Sequence, residues 1–182
     1  QCTAGYGLTL VQKSLQTCKP CGDNKFSLGN TSCLSCVSSC FTCNSTTGVC
    51  SQCVPTTGLL NNDCVSCNKT KDDRWTEYST GEHRCQACSQ GSGGLACIYC
   101  HGVTGDCSEC TPGFGLVNNN CTACKIGWFS KGSTACIKCS SPTAGSGREK
   151  CTACMQATGE CTQCQSPYTL FNGACISAVE AE

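Results

Sequence analysis

Twelve Cys-x-x-Cys pairs, with Cys2 and Cys175 standing alone, account for all 26 cysteines of this 182-residue chain. Paired thiols at that spacing support three chemistries: tetrahedral zinc binding, dithiol redox exchange, or a ladder of disulfides. The stretch Cys107–Cys124, CSECTPGFGLVNNNCTAC, poses the choice in miniature, with two such pairs ten residues apart. Twelve pairs would build six four-thiolate zinc sites and add a charge of about −12. The chain has 12 basic and 12 acidic residues and nothing to offset that charge. Its two histidines, His83 and His101, lack the spacing of a ligand pair. Redox exchange needs the pair at a strand-to-helix junction of an α/β unit, and no segment here has helical periodicity long enough to supply one. Disulfides remain, and an even cysteine count suits full pairing.

The elements that must hold these cysteines are short and repeated. Leu, Ile, Val and Phe make up only about 15% of the chain, below the level that supports a shared core. Low net charge argues against disorder, so cross-links must replace the core. Three segments carry one pattern: Cys43-x6-Cys50-x2-Cys53-x10-Cys64, Cys100-x6-Cys107-x2-Cys110-x10-Cys121 and Cys154-x6-Cys161-x2-Cys164-x10-Cys175. They recur at intervals of 57 and 54 residues, the signature of a tandem array. Residues 1–35, 36–87, 88–138 and 139–182 are read as four cysteine-rich modules, the first and last partial. Tyr6, Phe114 and Tyr168 each fall four residues after a cysteine, with Leu8, Leu116 and Leu170 two further on. Alternate positions share a strand face, so each pair is expected to cover a bridge. Asn61–Asp63, Asn118–Asn120 and Asn172–Gly173 then supply turn residues. Thr57 takes the aromatic's place in the second copy, which is expected to pack less tightly. A second element, KFSLGNTSC (25–33) and GWFSKGSTAC (127–136), shares an aromatic-Ser-x-Gly-x-[Ser/Thr] core and reads as a short bridged turn. The expected fold is small and disulfide-rich: an elongated tandem array of short β-hairpins and loops with little or no helix.

Spacing does not determine connectivity, but one scheme uses every cysteine. Hairpins close as Cys2–Cys18, Cys53–Cys64, Cys110–Cys121 and Cys164–Cys175. Short turns close as Cys21–Cys33, Cys67–Cys85 and Cys124–Cys136. The other twelve form three crossed sets of four, for example Cys88–Cys100 with Cys97–Cys107. Each local loop contributes about 3 kcal/mol on the chain-entropy model.

The ladder with its CxxCxxGxxLxxNxC-type hairpins resembles the growth-factor-receptor, or furin-like, cysteine-rich superfamily. CKIGWFSKGSTACIKC (124–139) resembles ephrin-receptor-type cysteine-rich repeats. With Thr, Ser, Asn and Gly filling the intervals, the whole chain is most similar to protist surface proteins, the variant surface proteins of diplomonads and the immobilisation antigens of ciliates. That likeness implies an extracellular structural or surface-coat glycoprotein. The diplomonad proteins end in a membrane span and a short basic tail, and no apolar run here approaches a span's length. Gln1-Cys2 reads as the start of a mature chain freed of its signal peptide.

Three function classes follow. In the first, a disulfide-stapled rod coats a cell surface or self-associates with like chains, as a homo-oligomer or filament. In the second, the chain is an ectodomain or secreted module binding a protein or glycan, with Trp75 and Tyr78 of the 68–84 insertion as the candidate contact. Trp75 covering the neighbouring Cys67–Cys85 bridge is the plainer role for that residue. The third class, an enzyme, finds no acid–base pair among the scattered carboxylates and two histidines. No cofactor is called for. Asp72, Asp73 and Glu77 lack an ordered calcium-ligand pattern. A neutral chain without a basic stripe has no nucleic-acid partner in view. Four sequons, at Asn30, Asn44, Asn68 and Asn120, are candidate glycosylation sites.

Overall fold

The computed structural model describes residues 1–12, 15–29, 31–141 and 149–177. Among them are ten two-stranded antiparallel sheets in tandem and only two single-turn 3₁₀ helices, Cys88–Gln90 and Gly94–Ala96. This is the array of short hairpins expected from the cysteine spacing. No helix among the described residues is long and apolar enough to cross a membrane.

Three kinds of hairpin alternate along the chain. The first kind is a longer hairpin, as in Phe114–Val117 paired with Asn120–Ala123. Asn118 and Asn119 close it with both φ angles positive, the primed turn whose twist matches that of paired strands. Asn61 and Asn62 do the same for Thr57–Leu60 and Asp63–Ser66, and Asn172 with Gly173 for Thr169–Phe171 and Ala174–Ile176. The corresponding N-terminal pair, Tyr6–Gln12 with Leu15–Pro20, is longer and carries a register irregularity near its tip. The second kind is a minimal two-residue pairing: Lys25–Phe26 with Leu34–Ser35, Glu77–Tyr78 with Gln86–Ala87, and Trp128–Phe129 with Ile137–Lys138. The third is a cysteine hairpin with a cysteine at both ends of each strand: Cys40–Cys43 with Cys50–Cys53, Cys97–Cys100 with Cys107–Cys110, and Cys151–Cys154 with Cys161–Cys164.

The described chain divides into two compact units. One comprises Gln1–Gln86 with Gly102–Thr104, the other Ala87–His101 with residues 105–182. In both, the buried apolar set among the described residues consists of cysteines, Phe129 alone excepted. Sulfur is the core. In the first unit Cys40, Cys50 and Cys53 cluster with Leu59 packed against them, and in the second Cys139, Cys151, Cys161 and Cys175 cluster with Tyr168.

The longer hairpins differ in one respect from the alternation argued above. Tyr6 is largely exposed, and the residue buried on these strands is the glycine between the aromatic position and the leucine: Gly7, Gly58 and Gly115. A Cβ on Gly115 would stand 2.5 Å from the Cys136 amide nitrogen, and on Gly7 2.5 Å from Cys33 Sγ. The strand is bare at that point so that the next bridged turn can lie against it. Thr169 occupies this position in the last hairpin and is exposed.

Candidate functional site

The repeated joint between elements is the most constructed feature of the molecule, and it begins with a serine. Among the described residues Ser27, Ser79 and Ser130 are the buried polar ones, at 0%, 4% and 1% exposure. Each hydroxyl accepts from the amide of a glycine two residues on, Gly29, Gly81 or Gly132, at 3.0–3.1 Å. The Ser79 and Ser130 hydroxyls donate in turn to the carbonyls of His83 and Thr134, at 3.0 and 2.8 Å. Buried hydroxyls need such partners, and here they knot a five-residue turn.

The knotted turn clamps the preceding hairpin through main-chain bonds. In the third copy Cys110 N–H donates to Gly132, Gly113 to Ser130 and Leu116 to Thr134, at 2.8–3.0 Å. Cys53 to Gly81, Thr56 to Ser79 and Leu59 to His83 repeat the set in the second. The same turn reaches forward as well. Ser27, Ser79 and Ser130 donate their own amides to Ser45, Gly102 and Gln156 in the loop of the next cysteine hairpin. An aromatic ring then lies on that loop's backbone. A Cβ on Gly48 would be 2.6 Å from the Phe26 ring, and one on Gly159 would strike Phe129.

The second copy was hidden in the sequence by its insertion. Tyr78-Ser79-Thr80-Gly81 is a third instance of the aromatic-Ser-x-Gly core, with His83 where the others have threonine. Its forward contact is made by a different residue. Trp75 packs on Gly102, where a Cβ would come within 2.5 Å of the indole. The Lys69 ammonium lies 4.0 Å from the Trp75 ring centroid and also 2.6 Å from Asp73. Tyr78 donates its hydroxyl to Gln86 Oε1 at 2.7 Å. The two aromatics singled out from sequence thus sit at the second joint, both half-buried. The signal that could have found this joint was the YSTG tetrapeptide, whose likeness to the other two cores ends at His83, the sixth position.

All cysteines are bridged. The hairpin bridges are Cys2–Cys18, Cys53–Cys64, Cys110–Cys121 and Cys164–Cys175. The bridged turns hold Cys21–Cys33, Cys67–Cys85 and Cys124–Cys136. Crossed pairs hold the cysteine hairpins: Cys36–Cys43 with Cys40–Cys50, Cys88–Cys100 with Cys97–Cys107, and Cys139–Cys154 with Cys151–Cys161. Three sulfur trios, Cys40/Cys50/Cys64, Cys97/Cys107/Cys121 and Cys151/Cys161/Cys175, gather within 4.8 Å as a metal cluster would. Each sulfur is already in a bridge and offers no thiolate, so the trios are stacked disulfides.

Asn44, Asn68 and Asn120 are exposed, and Asn30 lies outside the described residues. Asn44 Oδ1 accepts from the amides of Thr46 and Thr47 and from the Thr46 hydroxyl at 2.6 Å, which folds its sequon into a tight turn. His83 and His101 are exposed loop residues.

No family model matches the chain, and no solved structure does. Among curated proteins it is similar to the variant-specific surface protein VSP4A1 of Giardia intestinalis, at 26% identity over 186 aligned residues. The match covers 96% of this chain and 23% of that protein, so the chain spans less than a quarter of its relative's length.

Proposed function

We propose that this chain is a cell-surface coat segment, an extracellular structural module array rather than an enzyme. The observation that carries the reading is the sulfur core: every cysteine is bridged, and bridges occupy the place that aliphatic side chains hold elsewhere. Such a chain belongs in an oxidising compartment, because a cytosolic thiol pool would dismantle its interior. Similarity along nearly the whole chain to a variant-specific surface protein supports the same location. A coat must outlast proteases, and loops stapled over separations of 7 to 18 residues deny a protease the extended stretch it needs.

Glycans at Asn44, Asn68 and Asn120 belong to this proposal, as does lateral association of like chains. An antibody against the chain, applied to intact unpermeabilised cells, tests the location directly. Labelling is expected at the surface. Signal appearing only after permeabilisation would contradict the reading. Sedimentation across a concentration series tests association, with species heavier than the monomer as the expected result.

A further inference from the structure

The repeat provides its own control for function, because three bridged turns share one serine knot and differ in what they display. Cys21-Gly-Asp-Asn-Lys-Phe and Cys124-Lys-Ile-Gly-Trp-Phe occupy the same turn, with Asn24 and Gly127 both at positive φ. Phe26 and Phe129 make the joint in each. The residue before them is Lys25 in the first copy, Glu77 before Tyr78 in the second, and Trp128 in the third. An indole at that position is therefore not required by the fold.

Trp128 is half-buried and stands between two adjoining clefts of the second unit. On one side, a cleft of about 410 Å³ is lined by Lys125 and Thr122. On the other, one of about 630 Å³ is lined by Lys138, Thr134 and Ser140. The Lys138 ammonium lies 5.5 Å from the Trp128 ring centroid. Ile126, at the tip of the turn, is 91% exposed. Charge is equally local. Residues 124–139 contain Lys125, Lys131 and Lys138 and no carboxylate, whereas the first turn balances Asp23 with Lys25. The second balances Lys69, Lys71, Arg74 and Arg84 with Asp72, Asp73, Glu77 and Glu82. Within a neutral chain, only the third turn is purely cationic.

We infer that the Trp128 groove binds an acidic glycan, a sugar chain bearing carboxylate or sulfate groups, which crosses the indole with its anions set on Lys125 and Lys138. The indole offers a flat apolar plate to the C–H face of a sugar ring, and hydroxyl side chains on both sides of it match sugar hydroxyls. Lysines on either side satisfy anions spaced along the chain and exclude neutral or cationic polymers. The inference does not rest on the coat reading, because a secreted array would carry the same groove.

The test is a titration of the disulfide-intact protein with a size-defined heparin oligosaccharide, against its desulfated, carboxyl-reduced form. Trp75→Phe leaves Trp128 as the sole indole, and its emission is expected to shift saturably with heparin and not with the neutral form. Calorimetry on the chain with Trp75 retained follows the same binding should the Trp75 joint not tolerate phenylalanine. The Lys125→Gln/Lys138→Gln pair is expected to weaken binding about tenfold or more. Trp128→Gln weakens it at unchanged charge, while Lys25→Gln, at the matching position of the first turn, leaves it unchanged. Heparin affinity indifferent to the lysine pair or to Trp128 would overturn the inference. So would equal binding of the neutral glycan, or tighter lysine-dependent binding to a poly-glutamate peptide or to phosphatidylserine vesicles.

Discussion

Gly115 and Ser130 show how much of this molecule is decided by single small residues. At Gly115 any side chain meets the Cys136 backbone, which belongs to a bridged turn and cannot retreat. Gly115→Ala is therefore expected to cost about 1–3 kcal/mol through overpacking. Gly22→Ala, where nothing lies within 4 Å, should stay within about 0.5 kcal/mol. Denaturant melts of the oxidised proteins separate the two. Ser130→Ala leaves the Gly132 amide without its acceptor in a buried turn, at about 1–3 kcal/mol. Amide exchange should then accelerate at Gly132 and along the Cys110 and Leu116 amides that this turn holds. Unchanged exchange there would show that the serine knot carries no stability.

At the scale of elements, each hairpin is a loop closed at its base, and its stability is local. Replacing Cys110 and Cys121 together by serine is expected to remove about 3 kcal/mol. Exchange should rise within Phe114–Ala123 while the Cys40–Cys53 hairpin keeps its protection, because array elements lean on near neighbours. Loss of protection throughout the chain would contradict that locality. This is also the scale at which the sequence was most readable. Asn118-Asn119 between two strands announces a primed turn, and low aliphatic content with abundant cysteine announces small stapled hairpins. The joints were harder to see. Trp75 meets Gly102 across twenty-seven residues, and no local pattern points that far. Gly7, Gly58 and Gly115 carry no side chain to signal a role, yet each admits a neighbouring bridged turn against its strand. The insertion before Tyr78 displaced the second serine knot, at Ser79, from the spacing of the other two. The candidate glycan groove was equally concealed, since Trp128 gains meaning only when set against Lys25 in the same turn.

For the whole molecule, a core of sulfur in place of aliphatic side chains sets the conditions under which the chain persists. The oxidised protein is expected to resist trypsin, although it carries 12 lysines and arginines. Reduction and alkylation should make the same sites cleavable within minutes. A protein digested equally fast before and after reduction would not suit a surface coat. All of this depends on the bridges being the ones that stack the hairpins. The most direct measurement is a non-reducing peptide map of the native chain by mass spectrometry. It should return no free thiol, with Cys107 linked to Cys97 within the cysteine hairpin and Cys110 linked to Cys121 in the next hairpin, so that the two cysteines of one Cys-x-x-Cys pair enter different bridges. Cys107 bridged to Cys110, or thiols released by a zinc chelator, would contradict the account.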